Sequence, residues 1–186
     1  MMATTTRPGP RERLLDAARD LTYTEGMHVG VDAILKKADV ARASLYQHFG
    51  GKDGLVAEVL RTMPGTKRYR DVMDAAGPTP RDRILAIFDE MERVTTTPDY
   101  RGCRFTKAEL SLDAPDHPIH AEVRTFKEAL HQLFTEELER HGHPSPAFGA
   151  DQIVVLLDGI QVHAVTRPNA HPALAAKALV EAVLNA

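Results

Sequence analysis

Apolar residues recur along most of this chain at spacings of three and four, and no stretch alternates long enough to make a strand. The pattern predicts an all-α fold of about nine helices. Residues 1–10, with Thr4-Thr5-Thr6, two prolines and a glycine, read as a flexible tail. A helix then carries Leu14, Ala18 and Leu21 and stops at Gly26. A short one follows, with Val31, Ile34 and Ala38 on one face. Asp39-Val40-Ala41 makes a tight connection to a third helix over 42–49, where Leu45 and Phe49 stand four apart. Gly50-Gly51 breaks it, and Lys52 opens a fourth with Leu55, Val56, Val59 and Leu60.

Met63-Pro64-Gly65 interrupts the pattern, and the polar stretch 66–79 is predicted to be irregular. Helices are expected over 80–96, with Ile84, Ile87, Phe88 and Met91 as the apolar stripe, and over 102–112. Residues 113–118 read as a loop, and a long helix then runs to His141. After the break at 142–146, two last helices cover 147–166 and 172–184, with Arg167-Pro168 between them. The expected organisation is a tail (1–10), a small helical module (11–51) and a larger helical domain (52–186).

Composition sharpens this picture. Apolar residues make up 43% of the 186, but only 5% are aromatic and none is Trp, so the core must be aliphatic. The single cysteine, Cys103, excludes an internal disulfide and suits a reducing, cytoplasmic setting. No run of about 18 apolar residues predicts a membrane span, and residues 1–10 hold no apolar stretch of the signal-peptide kind. The net charge of −3 is unevenly divided. Residues 1–70 hold 12 Lys and Arg against 8 Asp and Glu; residues 71–186 hold 11 against 18. The first part would attract a polyanion and the second repel it.

Residues 31–49 have the form of a helix-turn-helix, whose second helix enters the major groove. Val31, Ile34, Ala38, Val40, Leu45 and Phe49 are its expected buried positions. Arg42, Ala43, Ser44, Gln47 and His48 face outward, and these types suit base edges. Tyr46 and Lys52 flank them with phosphate-binding chemistry. Lys52 also opens a helix, where free N–H groups favour a phosphate.

The run from Val40 to Leu55, with Leu45-Tyr46-x-His48-Phe49 followed by Lys52-Asp53-x-Leu55, resembles the tetracycline-repressor (TetR) family of bacterial regulators. So do Leu14-Leu15-Asp16-Ala17-Ala18, Leu21, Gly26, Val31 and Ile34. The resemblance covers roughly residues 11–60. Further on, Gly102-Cys103-x-Phe105, Asp116-His117-Pro118 and Leu157-Asp158-Gly159 resemble the regulatory domains of many members. Thr22 stands where the family usually has Phe, and Val29-Gly30 where it has Thr or Ser. Asp39 replaces Gly at the turn, and Ala41 replaces the usual Ser cap of the recognition helix, a loss of about 1 kcal/mol.

The resemblance implies a transcriptional regulator, a repressor released from its operator by a small-molecule effector. One helix-turn-helix reads few base pairs, so a homodimer on near-palindromic double-stranded DNA is expected. Ile153, Leu157 and Ile160 of the penultimate helix, with Leu174, Leu179 and Val183 of the last, are the expected dimer interface, since both helices are apolar on several sides. Family members enclose an apolar effector pocket in the middle helices, which points here to Ile87, Phe88, Met91, Phe105, Phe126, Leu130 and Phe134.

Other chemistry is weakly signalled. Cys103 reads as a small buried hydrophobe. His117 with His120, and His141 with His143, lack zinc-site company and read as solvated loop and helix-end residues, so no metal is expected. Asp89-Glu90 with Glu92, and Glu136-Glu137 with Glu139, read as solvated helix faces. There is no phosphate-binding glycine loop, nucleophile elbow or zinc-protease motif, so neither an enzyme nor a cofactor is expected. The alternative is a helical enzyme or partner-binding protein that keeps the helix-turn-helix only as scaffold.

Overall fold

The computed structural model describes residues 7–167 and 169–186, so most of the expected tail, residues 1–6, lies outside the described residues. All the regular structure described is helical. The helices are α1 (Pro10–Thr24), α2 (Val31–Ala38), α3 (Arg42–Phe49), α4 (Lys52–Arg61), α5 (Lys67–Ala76), α6 (Pro80–Thr95), α7 (Arg104–Leu110), α8 (Ile119–His141), α9 (Pro146–Thr166) and α10 (Pro172–Leu184). The chain divides into two compact units. One holds the described part of Met1–Met63 with Lys107–Val123; the other holds Pro64–Thr106 with Arg124–Ala186.

In the first unit, α2, α3 and α4 all pack on α1. Leu14, Ala18, Ile34, Leu45, Leu55 and Val59 form its buried centre. Three of the six positions expected inside the helix-turn-helix, Ile34, Ala38 and Leu45, are fully buried; Val31, Val40 and Phe49 pack against the same cluster from its edge. Thr22, which stands where the family favours a phenylalanine, is buried, and its hydroxyl donates to the Ala18 carbonyl at 2.7 Å. A buried polar group bonded this way avoids the cost of an unmet hydroxyl.

The histidines of the Lys107–Val123 segment are not solvated. His120 is buried, with Nδ1 2.9 Å from Glu109 and Nε2 3.0 Å from the Ala114 carbonyl. His117 places Nε2 3.3 Å from Asp53 at the start of α4. Lys107 donates to the Tyr23 carbonyl at 3.1 Å and lies over the Tyr23 ring. The Lys107 and His117 contacts clasp the segment to α1 and α4.

In the second unit, α6 is the central helix and packs on α5, α9 and α10. Ile84, Ile87, Phe88, Leu130, Phe134 and Leu157 are fully buried there. The stretch expected to be irregular contains α5. Its Tyr69, Val72 and Met73 fall at i, i+3 and i+4, which makes one apolar stripe, and Met73 is fully buried. Glu137, expected on a solvated face, is also fully buried, with Arg83 Nε at 2.9 Å and Arg140 on the same carboxylate oxygen. Cys103 is half-buried rather than buried. It neighbours Tyr69, whose phenol is pushed well up, first by burial and then by the adjacent thiol.

Helix α9 is long and apolar enough to cross a membrane by length and mean hydropathy. Its apolar residues divide between two faces. Ile153, Leu157 and Ile160 point into the unit, while Val155, Val162 and Val165 are exposed.

Candidate nucleic-acid interface

The recognition helix owes its placement to the turn before it. Asp39 closes α2 in the left-handed conformation, φ 52°, which Asp tolerates better than most residues. Arg13 donates from Nη1 to the carbonyls of Ala38 (3.0 Å) and Asp39 (2.8 Å), meeting acceptors that the helix end leaves open. The Asp39 carboxylate sits beside Arg7 and Arg13, and the Arg7 hydrogen bond above all holds it below the usual range. Leu45 anchors α3 in the core, and Gly50, φ 72°, ends the helix. Gly54 then brings α4 hard against that end. A Cβ on Gly54 would stand 2.1 Å from the Phe49 carbonyl oxygen, so only glycine fits without a backbone shift.

This frame presents Arg42, Ala43, Tyr46, Gln47 and His48 to solvent on one helix, with Ser44 half-buried at its edge. The Arg42 guanidinium is held by Asp32 of α2 at 2.5 Å. Lys52 is partly engaged within the unit, for its ammonium donates to the Met27 carbonyl at 2.8 Å. An ammonium has three donors, so two remain. Helices α2, α3 and α4 start at Gly30, Ala41 and Gly51, none with a side-chain cap. Their first N–H groups therefore have no capping side chain, which suits an anionic oxygen. Neither Asp32 nor Gly54 was picked out from the sequence. Asp32 meets Arg42 ten residues further on, across the turn between α2 and α3, and no local periodicity reports that pair.

The seven residues expected to line an apolar pocket are all buried in the second unit. Phe105 and Phe126 stack at 3.9 Å between centroids, with planes 12° apart. Ile87, Phe88, Met91, Leu130 and Phe134 belong to the same core. A cavity of about 530 Å³ does occur in this unit, but none of the seven lines it; it lies at the α6 C-terminus and the α9–α10 connection.

The expected dimer interface divides as well. Leu174 and Leu179 are more than half exposed. Ile153, Leu157, Ile160 and Val183 are buried inside their own protomer, so they offer no surface to a partner. The exposed apolar residues of α9 are instead Phe148, Val155, Val162 and Val165, with Gly159 open to solvent among them. Both faces of α9 are apolar, and composition could not say which one the protomer fills for itself.

Residues 14–59 match the family model of bacterial regulatory proteins of the tetR family. Residues 78–186 match the tetracyclin repressor-like C-terminal domain. The chain belongs to the TetR family. SCO4454, a TetR-family transcriptional regulator from Streptomyces coelicolor, is 30% identical with a TM-score of 0.83, over 95% of this chain and 94% of its own. The sav143 protein of Streptomyces avermitilis MA-4680 is 32% identical with a TM-score of 0.76, over 94% and 99%. A cysteine mutant of the TetR-family regulator CifR, solved in complex with 26-base-pair operator DNA, shares the fold at 23% identity and a TM-score of 0.77, over 97% and 98%. The comparison with curated proteins found no match. This TetR-family protein is a DNA-binding transcriptional regulator, and its N-terminal helix-turn-helix is the DNA-binding element.

Proposed function

We propose that this TetR-family regulator represses transcription as a homodimer on a near-palindromic operator and leaves the DNA when a small molecule binds. The exposed α3 face carries the reading: Arg42, Ala43, Gln47 and His48 are exposed on a helix fixed by Leu45 and Gly54. Arg suits guanine, Gln suits adenine, and the Ala43 methyl can meet a thymine methyl. Tyr46, Ser44 and the two remaining donors of Lys52 serve phosphates, together with the uncapped N-termini.

Dimerisation is supported by the exposed apolar stripe of Phe148, Val155 and Val162 on α9 with Leu174 and Leu179 on α10. Two recognition helices must then stand about 34–36 Å apart, or at a multiple of that, to meet successive major grooves. An apolar effector would meet Ile87, Phe88, Met91, Leu130 and Phe134 by parting the Phe105–Phe126 stack. Effector and operator must then weaken each other equally, because coupling between sites is reciprocal.

Selection of binding sequences from random duplex DNA tests the reading. The expected result is an enriched two-fold symmetric motif, and a changed base preference in Gln47→Ala with the same symmetry. Failure to enrich any motif would favour the scaffold alternative and sink the proposal.

A further inference from the structure

The cavity in the second unit has the volume of a small-molecule site, since ligand pockets run from about 300 to 1,000 Å³. Its chemistry differs from the aliphatic and aromatic core. One wall is the C-terminal end of α6, with Thr95, Thr96 and Thr97. Each of these hydroxyls gives its proton to a carbonyl of its own helix: Thr95 to Met91 at 2.7 Å, Thr96 to Glu92 at 2.8 Å, Thr97 to Val94 at 2.7 Å. With the protons spent, the hydroxyl oxygens meet a ligand as acceptors. The helix end adds its own negative partial charge.

The rest of the lining supplies nitrogen donors. The Arg101 and Arg167 guanidiniums and the His171 imidazole line the cavity, and no carboxylate does among the described residues. Arg101 is fixed by donating from Nη1 to the carbonyls of Pro98 and Tyr100. The Arg167 guanidinium has no partner among the described residues. His171 is oriented by Glu92 through Nδ1, and its Nε2 is unpartnered among the described residues. The connection is also held in a costly backbone. Asn169 (φ 72°) and His171 (φ 46°), both lining the cavity, are two of the three left-handed non-glycine residues described. Such conformations cost about 1–2 kcal/mol each and persist where the surroundings over-determine them.

We infer that this cavity binds a small hydroxycarboxylate, an acid whose carboxylate pairs with Arg167 and His171 and whose own O–H groups donate to the threonine oxygens. A bare anion would meet the cations but leave the acceptor wall unmet. A neutral polyol would satisfy the acceptors but leave the guanidinium unpaired. Only an anion with its own donors answers both walls. The site is separate from the apolar core assigned above to an effector, and its existence does not depend on that assignment. Val165, exposed on the α9 stripe, also lines it, so occupancy would be felt at the proposed dimer surface.

Calorimetry on the full chain, without DNA, tests this. The probes are citrate, malate and gluconate, each paired with its deoxy counterpart: tricarballylate, succinate and hexanoate. At least one hydroxy acid should bind with a Kd of about 1 mM or tighter. Arg167→Ala should weaken that binding about tenfold or more with an unchanged melting curve, because the Arg167 side chain is exposed and its guanidinium has no partner among the described residues. The matching deoxy acid should bind clearly worse, and Thr97→Val should narrow that difference. Absence of binding by all three hydroxy acids overturns the inference, as does unchanged affinity in Arg167→Ala. Equal binding of hydroxy and deoxy acids overturns the role of the threonine wall. A failed operator selection would leave these results untouched, so the two readings fall separately.

Discussion

Glu137 shows at the scale of one residue how a charge survives inside a helix bundle. Its side chain is fully buried, and Arg83 and Arg140 meet on one of its oxygens while the other oxygen has no hydrogen bond. Removing a partner strands the carboxylate. Arg83→Met should therefore destabilise the fold by about 3 kcal/mol, read as a lower urea midpoint. Arg83→Met with Glu137→Met should recover much of that loss, because the buried charge goes too; a double variant no better than the single would refute the account. Glu90 makes the opposite case. It accepts from Arg93 at 2.7 and 2.8 Å and from Arg68 at 2.7 Å. These bonds, Arg93's first, pull its carboxyl down to about 2 despite the contrary push of burial. The unfolded chain protonates this group near its ordinary value of 4.5. Its stabilisation is thus complete above that pH and disappears as the pH falls toward about 2. Solvent screening limits the effect to about 1 kcal/mol. Glu90→Gln should flatten the acid limb of the stability curve over that window, and an unchanged limb would remove Glu90 from it. Neither residue was legible beforehand: a run of acids on a helix gives no sign of which one an arginine from another helix will cover.

Elements were more legible than residues. Helix order and the helix-turn-helix followed from periodicity, because their apolar stripes are dense and their ends carry Gly, Pro or Asp. The missed element, α5, has only three large apolar side chains in ten residues and follows Pro64-Gly65, so polarity masked a short stripe. The junction of α3 and α4 rests on Gly54 and the Phe49 carbonyl. Gly54→Ala forces backbone apart, which should cost about 2–3 kcal/mol. It should also lower operator affinity under conditions where the variant remains folded, since α3 is the element displaced. A melting temperature within a degree or so of wild type would show that the junction yields cheaply.

At the scale of the whole molecule, pattern alone marks α9 and α10 as apolar on several sides, but four of the six positions it points to, Ile153, Leu157, Ile160 and Val183, are core. Burial separates the faces, leaving Val155 and Leu179 as the informative positions. Val155→Arg and Leu179→Asp should each give a protein that sediments as a monomer at micromolar concentration yet melts like wild type. Leu157→Asp should instead unfold the protomer, because that side chain is fully buried. Wild-type behaviour of both surface variants would place the dimer contact elsewhere. The pair between Asp32 and Arg42 also reaches beyond its own contact. A cation that approaches DNA with its own anion attached displaces fewer condensed counterions, so log affinity should fall less steeply with log salt than the basic residues on this face suggest. Asp32→Asn should steepen that slope by about 0.9 per protomer. It should also tighten attachment to arbitrary duplex more than to the operator, because non-specific attachment is almost wholly electrostatic. One exposed acid would then act as a brake on loitering, shortening the time spent on wrong sites while Gln47 still reads the right one.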